Sequence, residues 1–263
     1  MPDAPASDSG SAVLRGDMTA SAGPVAGTGR DEPVGVLGGL GPAATVHFMQ
    51  RLVALTDASR DQDHVDLLVW QHGSIPDRSA FLLGHGESPE PVLVADAVAL
   101  ESAGARFIAI PCNTAVVWVE QMRAAVSIEV LDTVAETVAA AQVAVPGLQR
   151  LGVLATDGTL LAGTYAAAAA AAGVDLLTPS ADVQREVMSI IYDGVKAGMP
   201  VPRERFDAVV DHLREQGAEV VALGCTELSV LYEDLGIDDP TVVDSIDALA
   251  RRVVERAGAP LRA

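Results

Sequence analysis

The sequence predicts an α/β protein, and three observations carry that expectation. Hydrophobic residues make up 49% of the chain but aromatics only 3%, so the core must be assembled from Ala, Val, Leu and Ile. That is the composition of buried parallel strands covered by Ala-rich helices. Short β-branched runs alternate with longer helical stretches, and the pattern starts again midway, so one architecture is written twice.

Residues 1–32 are dominated by Ala, Ser, Gly, Pro and Asp. Their few aliphatics (Val13, Leu14, Val25) follow neither helical nor strand spacing, and the segment is expected to be a disordered tail. Val34 to Leu37 reads as a short buried strand, Gly38-Gly39-Leu40-Gly41 as a turn, and Pro42 stands where a helix over Ala43 to Leu55 could start. A strand over Val65–Trp70 follows, then a helix over Pro91–Ala103, a strand over Arg106–Ile110, a helix over Val116–Ala125 and a strand over Ile128–Leu131 leading into a helix from Val134. In the second half, strands are expected at Leu151–Leu154 and Glu219–Leu223. Helices are expected at Leu160–Ala172, Asp182–Ala197, Arg203–Gln216 and Ile246–Arg256.

Seventeen Lys and Arg against 36 Asp and Glu leave a formal net charge of −19. Phosphate backbones and anionic membranes repel such a chain, which excludes a general nucleic-acid binder and predicts small-molecule partners. There are two cysteines, no apolar run of membrane-spanning length and no charged-then-apolar amino-terminal segment. The expectation is therefore a cytoplasmic protein, not a secreted disulfide scaffold or a membrane span. Lys196 is the sole lysine, so any side-chain amine chemistry must use it.

The restart is an internal repeat. Gly104-Ala105-Arg106-Phe107-Ile108-Ala109-Ile110-Pro111-Cys112 matches Gly217-Ala218-Glu219-Val220-Val221-Ala222-Leu223-Gly224-Cys225, and Gly35-Val36-Leu37 matches Gly152-Val153-Leu154. Gly35 lies 77 residues before Cys112 and Gly152 lies 73 before Cys225, so the cysteines occupy one structural position in two similar halves. Both fall at carboxyl ends of strands, where α/β sheets bind ligands. Asn113-Thr114 and Thr226-Glu227 can each open a helix whose free N–H groups would favour a thiolate. If the halves pack about a pseudo-twofold axis, a substrate carbon in the cleft has one sulfur on each face. One sulfur can then remove a proton while the other delivers one, inverting a stereocentre. Against this stands the reading of either Cys as a small buried hydrophobe. A disulfide is the weaker alternative in a reducing compartment, and zinc is weaker still for want of ligand spacing.

Gly38-Gly39-Leu40-Gly41-Pro42-Ala43-Ala44-Thr45, Ile75-Pro76-Asp77-Arg78, Pro111-Cys112-Asn113-Thr114 and Gly224-Cys225-Thr226-Glu227, in that order, resemble the aspartate/glutamate racemase family in its aspartate racemase branch. The resemblance runs from about residue 34 to the carboxyl end. It implies two similar doubly wound, Rossmann-like domains with the active site between them: residues 33–131 with 246–263, and residues 132–245. It further implies a homodimer, no cofactor (pyridoxal phosphate included) and no metal.

By that resemblance Cys225 takes the α-proton of the L-enantiomer and Cys112 that of the D-enantiomer, while Arg78 and Lys196, the latter in Tyr192-Asp193-Gly194-Val195-Lys196, bind carboxylates. A dicarboxylate does need two cationic anchors, Arg as a bidentate grip and Lys as a point charge. The bland readings are a surface ion pair of Arg78 with Asp77 and a solvated Lys196. Thr156 and Thr159 are candidates to hold the substrate's amino or carboxylate group, as are Asn113, Thr114 and Thr226 with Glu227 beside them, although each threonine or asparagine could equally be a helix cap. Glutamate racemases of the cell-wall type carry an acidic residue opening the glycine loop and a His after the second Cys-Thr. Here Gly38-Gly39 and Glu227 stand there, which favours aspartate, with glutamate next.

Other readings are weaker. The loop order G-G-x-G-P is not the dinucleotide fingerprint, and no acid ends the second strand to hold a ribose. His72 is expected to be structural, and the alanine run 166–172 to be helix packing surface. Sister cysteine enzymes of this superfamily act as decarboxylases or cis-trans isomerases on small dicarboxylates such as malonates or maleate, and a non-catalytic acidic-metabolite binder would keep the cleft without the chemistry.

Overall fold

The computed structural model describes residues 32–262; the expected tail, apart from Glu32, lies outside them. The first half runs β1 (Val34–Gly38), α1 (Pro42–Leu55), β2 (Leu67–Gln71), α2 (Arg78–Leu82), α3 (Glu90–Ser102), β3 (Phe107–Ala109), α4 (Val119–Ala125) and β4 (Glu129–Val130). The second runs α5 (Thr133–Ala144), β5 (Arg150–Leu154), α6 (Asp157–Ala162), α7 (Thr164–Ala171), β6 (Asp175–Leu177), α8 (Ala181–Ser189), α9 (Arg203–Glu215), β7 (Val220–Leu223), α10 (Thr226–Asp234), β8 (Val242–Asp244) and α11 (Ser245–Arg256). Two four-stranded sheets result, ordered β2-β1-β3-β4 and β6-β5-β7-β8, with all strand pairs parallel. This is the mixed α/β fold expected, and the sheet orders match strand for strand.

Parallel strands need both faces covered, and β1 and β7 are buried at every residue. Helix starts follow the local chemistry. Pro42 occupies the first turn of α1, where its missing N–H costs nothing, and Asp132 caps α5 by accepting from the N–H groups of Val134 and Ala135. One apolar cluster joins Val34, Val36 and Phe48 to Ile246, Leu249 and Val253, so α11 returns the chain to the first sheet. A larger cluster includes residues of both halves, from Leu37 to Val243.

Several elements differ from expectation. The helix expected over 160–172 is two, α6 and α7, because Gly163 adopts φ +71° and breaks it. The helix expected over 182–197 stops being α after Ser189 and continues as a π-helix over Ile190–Val195. Thr114–Trp118 is a 3-10 turn ahead of α4. The short strands β6 and β8 and the five-residue α2 arise where no strand or helix was expected.

Candidate active site

Each cysteine sits just past the middle of its sheet. Cys112 follows β3, Cys225 follows β7, and the chain reverses direction across the sheet between β1 and β3 and again between β5 and β7, the switch points at which such sheets bind ligands. Gly39, beyond β1, has φ +91°, and a side chain there would run into the His72 backbone. Its N–H donates to Thr45 Oγ1 at 2.9 Å, which pins the glycine loop over α1.

Both thiols are free and buried, and they face one chamber of about 20 Å³. Arg78, Lys196, Asn113, Thr114, Thr156, Thr226 and Glu227 all contribute to its wall. Thr159 is brought close but stands behind the wall, bonded to Thr114 (2.7 Å) and Thr156 (3.0 Å) through its hydroxyl. Ser79 was not singled out from sequence; it extends this chain of hydroxyls by bonding Thr156 at 2.8 Å. Four buried hydroxyls thus stitch the first half to the second. They are brought together by Gly158, whose missing side chain leaves room for Ser79; the proximity of a serine to a glycine 79 residues on has no sequence signal.

Arg78 opens α2 and is 8% exposed. It makes no ion pair with Asp77, which instead caps α2 by accepting from the Ala80 N–H. The guanidinium donates to the carbonyls of Leu40 (2.5 Å), Pro76 (3.3 Å) and Ile75 (3.4 Å), and its Nε is buried without a partner. A buried cation facing carbonyls alone is a ready carboxylate site.

Lys196 is not a free surface amine either: the residue as a whole is exposed, but its side chain is 24% exposed and paired. Its Nζ donates to Glu227 Oε1 at 2.8 Å and lies 5.4 Å from the centre of the Tyr192 ring. Burial pulls its pKa down, but the Glu227 carboxylate and the nearby sulfurs hold it above its ordinary value. Glu227 is shared, because the Cys225 thiol donates to its Oε2 at 3.0 Å. Burial first and the Glu227 charge second push the Cys225 thiol well above its usual range, with Lys196 opposing. This corrects the expectation of a helix-stabilised thiolate at Cys225: the thiol form is favoured, since desolvation and a carboxylate 3.0 Å away outweigh the helix N-terminus.

Asn113 does not cap a helix. Its Oδ1 accepts from the Tyr165 hydroxyl at 2.7 Å and its Nδ2 donates to Ser245 at 2.9 Å, so it ties Cys112 to α7 and α11 with one N–H left over. Thr156 does cap α6. Tyr192, on the π-helix, donates to Asp77 at 3.5 Å across the chamber mouth. His72 bonds Asp96 at 2.8 Å and is not on the chamber wall. Among the described residues no cluster of three or more His, Cys, Asp or Glu is placed to hold a metal, and no helix is long and apolar enough to cross a membrane.

Comparison with known proteins places this geometry. A family profile described as Asp/Glu/Hydantoin racemase matches residues 37–253. The chain is 26% identical over 228 residues to a broad specificity amino-acid racemase, RacX, of Bacillus subtilis, covering 84% of this chain and 96% of that one. Among solved structures, an aspartate racemase from Picrophilus torridus superposes with a TM-score of 0.73 at 30% identity, covering 88% of this chain and 96% of its own. A glutamate racemase from Francisella tularensis in complex with D-glutamate shares the fold, with a TM-score of 0.62 at 17% identity over 86% of this chain and 81% of that one.

Proposed function

Because the chain belongs to the Asp/Glu/hydantoin racemase family, and so is an amino-acid racemase, we propose that it interconverts L- and D-aspartate without a cofactor, Cys112 and Cys225 exchanging protons with opposite faces of the α-carbon. The observation that carries this reading is that two buried thiols from equivalent strand ends face one chamber with a buried guanidinium that has no carboxylate partner. The aspartate racemase from Picrophilus torridus and the broad specificity racemase support the substrate class.

In the proposed cycle one sulfur enters as thiolate and the other as thiol. The thiolate removes the α-proton, the electron pair delocalises into the α-carboxylate, and the opposite thiol returns a proton to the other face. The cysteines leave with roles exchanged. Arg78 fits the position of carboxylate anchor, neutralising the charge that builds on the carboxylate in the transition state. Lys196 can reach a side-chain carboxylate only by sharing or leaving Glu227. Schiff-base chemistry would require Lys196, the sole lysine, as a neutral amine, and its ion pair with Glu227 opposes that.

The test is proton NMR of L- and D-aspartate in D₂O under reducing conditions. Wild-type protein should exchange the α-proton with matching loss of circular dichroism, and Cys112→Ala and Cys225→Ala should each abolish racemisation. Racemisation that survives either substitution would refute the two-cysteine mechanism.

A further inference from the structure

The catalytic chamber does not end at its own wall. A second cavity of about 490 Å³ adjoins it, and Asp77, Arg78, Lys196 and Glu227 line both. The chamber, at about 20 Å³, has room for roughly one water, whereas the outer cavity lies within the roughly 300–1,000 Å³ of ordinary ligand sites. If the α-carbon must lie between the two sulfurs, a long substrate side chain that leaves the chamber past Arg78, Lys196 and Glu227 enters the outer cavity, because the same residues wall both.

The partition carries all the charge. Arg78 and Lys196 are the cations, Glu227 is paired with Lys196, and Asp77 is held by the Ala80 N–H and the Tyr192 hydroxyl. Beyond it the outer cavity is walled by Gly39, Gly41, Pro42, Ala43, Gly73, Ile75 and Val195, none of which is charged. The cationic side chains that could answer a side-chain carboxylate, Arg78 and Lys196, therefore stand at the partition. A longer side chain passes the partition into neutral surroundings of backbone and small apolar groups.

We propose that this outer cavity is a side-chain subsite, and that the chain racemises amino acids with long, unbranched, uncharged side chains, of glutamine or methionine length, in addition to aspartate. The proposal rests on the two-cysteine reading above. Gly73 gives it a sharp test. Its backbone does not occupy the left-handed region, and a Cβ there meets only Pro42, at 3.8 Å, so Gly73→Leu adds bulk to the wall of the outer cavity with no clash at its Cβ. Ala43→Leu, on the exposed first turn of α1, narrows the same space.

The experiment measures α-proton exchange in D₂O for L-aspartate, L-glutamine and L-methionine. Wild-type protein should exchange all three. Gly73→Leu, and independently Ala43→Leu, should lower kcat/KM for methionine at least tenfold relative to that for aspartate. Exchange of aspartate with none of glutamine or methionine by wild-type protein overturns the subsite, and so does an equal fall for all three substrates in both variants. Exchange of no amino acid overturns the racemase reading itself, and the subsite with it.

Discussion

Gly158→Ala tests whether the close approach of the two halves builds the site. A Cβ at position 158 would lie 2.6 Å from Ser79 Cα, 2.8 Å from its Cβ and 2.9 Å from its Oγ. The first contact is about 1 Å short of an ordinary carbon–carbon separation. The obstacle is main chain, so α2 and α6 must part by about that distance. Overpacking of this kind costs about 1–3 kcal/mol, and for a chain of this size each kcal/mol lowers Tm by about 2–4 °C. The same shift stretches the 2.8 Å bond between Ser79 and Thr156 and moves Arg78 relative to Thr156. A misplacement of about 1 Å can cost about a hundredfold in rate. The comparison variant is Gly163→Ala, whose φ of +71° makes it costly but whose Cβ meets nothing within 4 Å. It should lower Tm by a similar amount, for a left-handed residue costs about 1–2 kcal/mol, while leaving racemisation unchanged. Differential scanning calorimetry and a circular dichroism racemase assay on both variants decide the matter. Wild-type kcat/KM in Gly158→Ala, or an equal loss in Gly163→Ala, would refute the positioning argument.

Three further outcomes are expected. Glu227→Gln removes the negative charge that, after burial, disfavours the Cys225 thiolate, so in a Cys112→Ala background alkylation of Cys225 by iodoacetamide should begin at lower pH than with Glu227 present. Arg78→Lys keeps the charge but loses the fork, and kcat/KM for aspartate should fall about 10–100-fold, the equivalent of one charged hydrogen bond of about 1.5–3 kcal/mol; an unchanged value would remove Arg78 from the carboxylate site. The Asp244 carboxyl, raised to about 6 by burial, is easier to ionise in the unfolded chain, so the native state loses stability as pH rises from about 4 to 6. Asp244→Asn, which keeps an acceptor for the Ile246 N–H, should therefore add about 1–3 kcal/mol at pH 7 and nothing at pH 4, as read by urea unfolding.

What the sequence made legible was what the repeat and the motifs carry. The paired Gly-Ala-strand-Cys frames located both thiols, and Arg78 and Lys196 followed from the motifs around them. What stayed hidden depends on contacts between distant residues. Asp175–Leu177 is too short to announce itself as a strand and becomes one only by pairing with β5. The helix expected over 160–172 breaks at Gly163, ahead of the alanine run, which stays within α7 and its cap; a glycine in sequence does not announce that its backbone will turn left-handed. The π-helix before Lys196 is equally silent in sequence, yet the turn ends at Lys196, whose ammonium meets Glu227. Lys196 and Glu227 are both expected from sequence as substrate contacts; that they contact each other is not, since sequence carries no sign of which carboxylate an amine will choose.

The same pairing answers a difficulty that the repeat creates. Two equivalent cysteines in equivalent surroundings would hold a proton equally well, yet two-base exchange needs one thiolate and one thiol at any moment. The frames align the cysteines and differ beyond them: two residues on, Thr114 stands in the first half and Glu227 in the second. Thr114 turns its hydroxyl to Thr159; Glu227 accepts from the Cys225 thiol. The carboxylate beside the Cys225 sulfur breaks the symmetry electrostatically and favours the protonated form of Cys225. Under the two-cysteine reading a protonated Cys225 is the partner that delivers a proton, the direction assigned to the D-enantiomer. Turnover of the L-enantiomer starts from the opposite form, in which thiolate and carboxylate are adjacent, and the Lys196 ammonium, bonded to Glu227, offsets their repulsion. Under that reading Lys196 has two duties that compete: pairing with Glu227, and answering a substrate carboxylate.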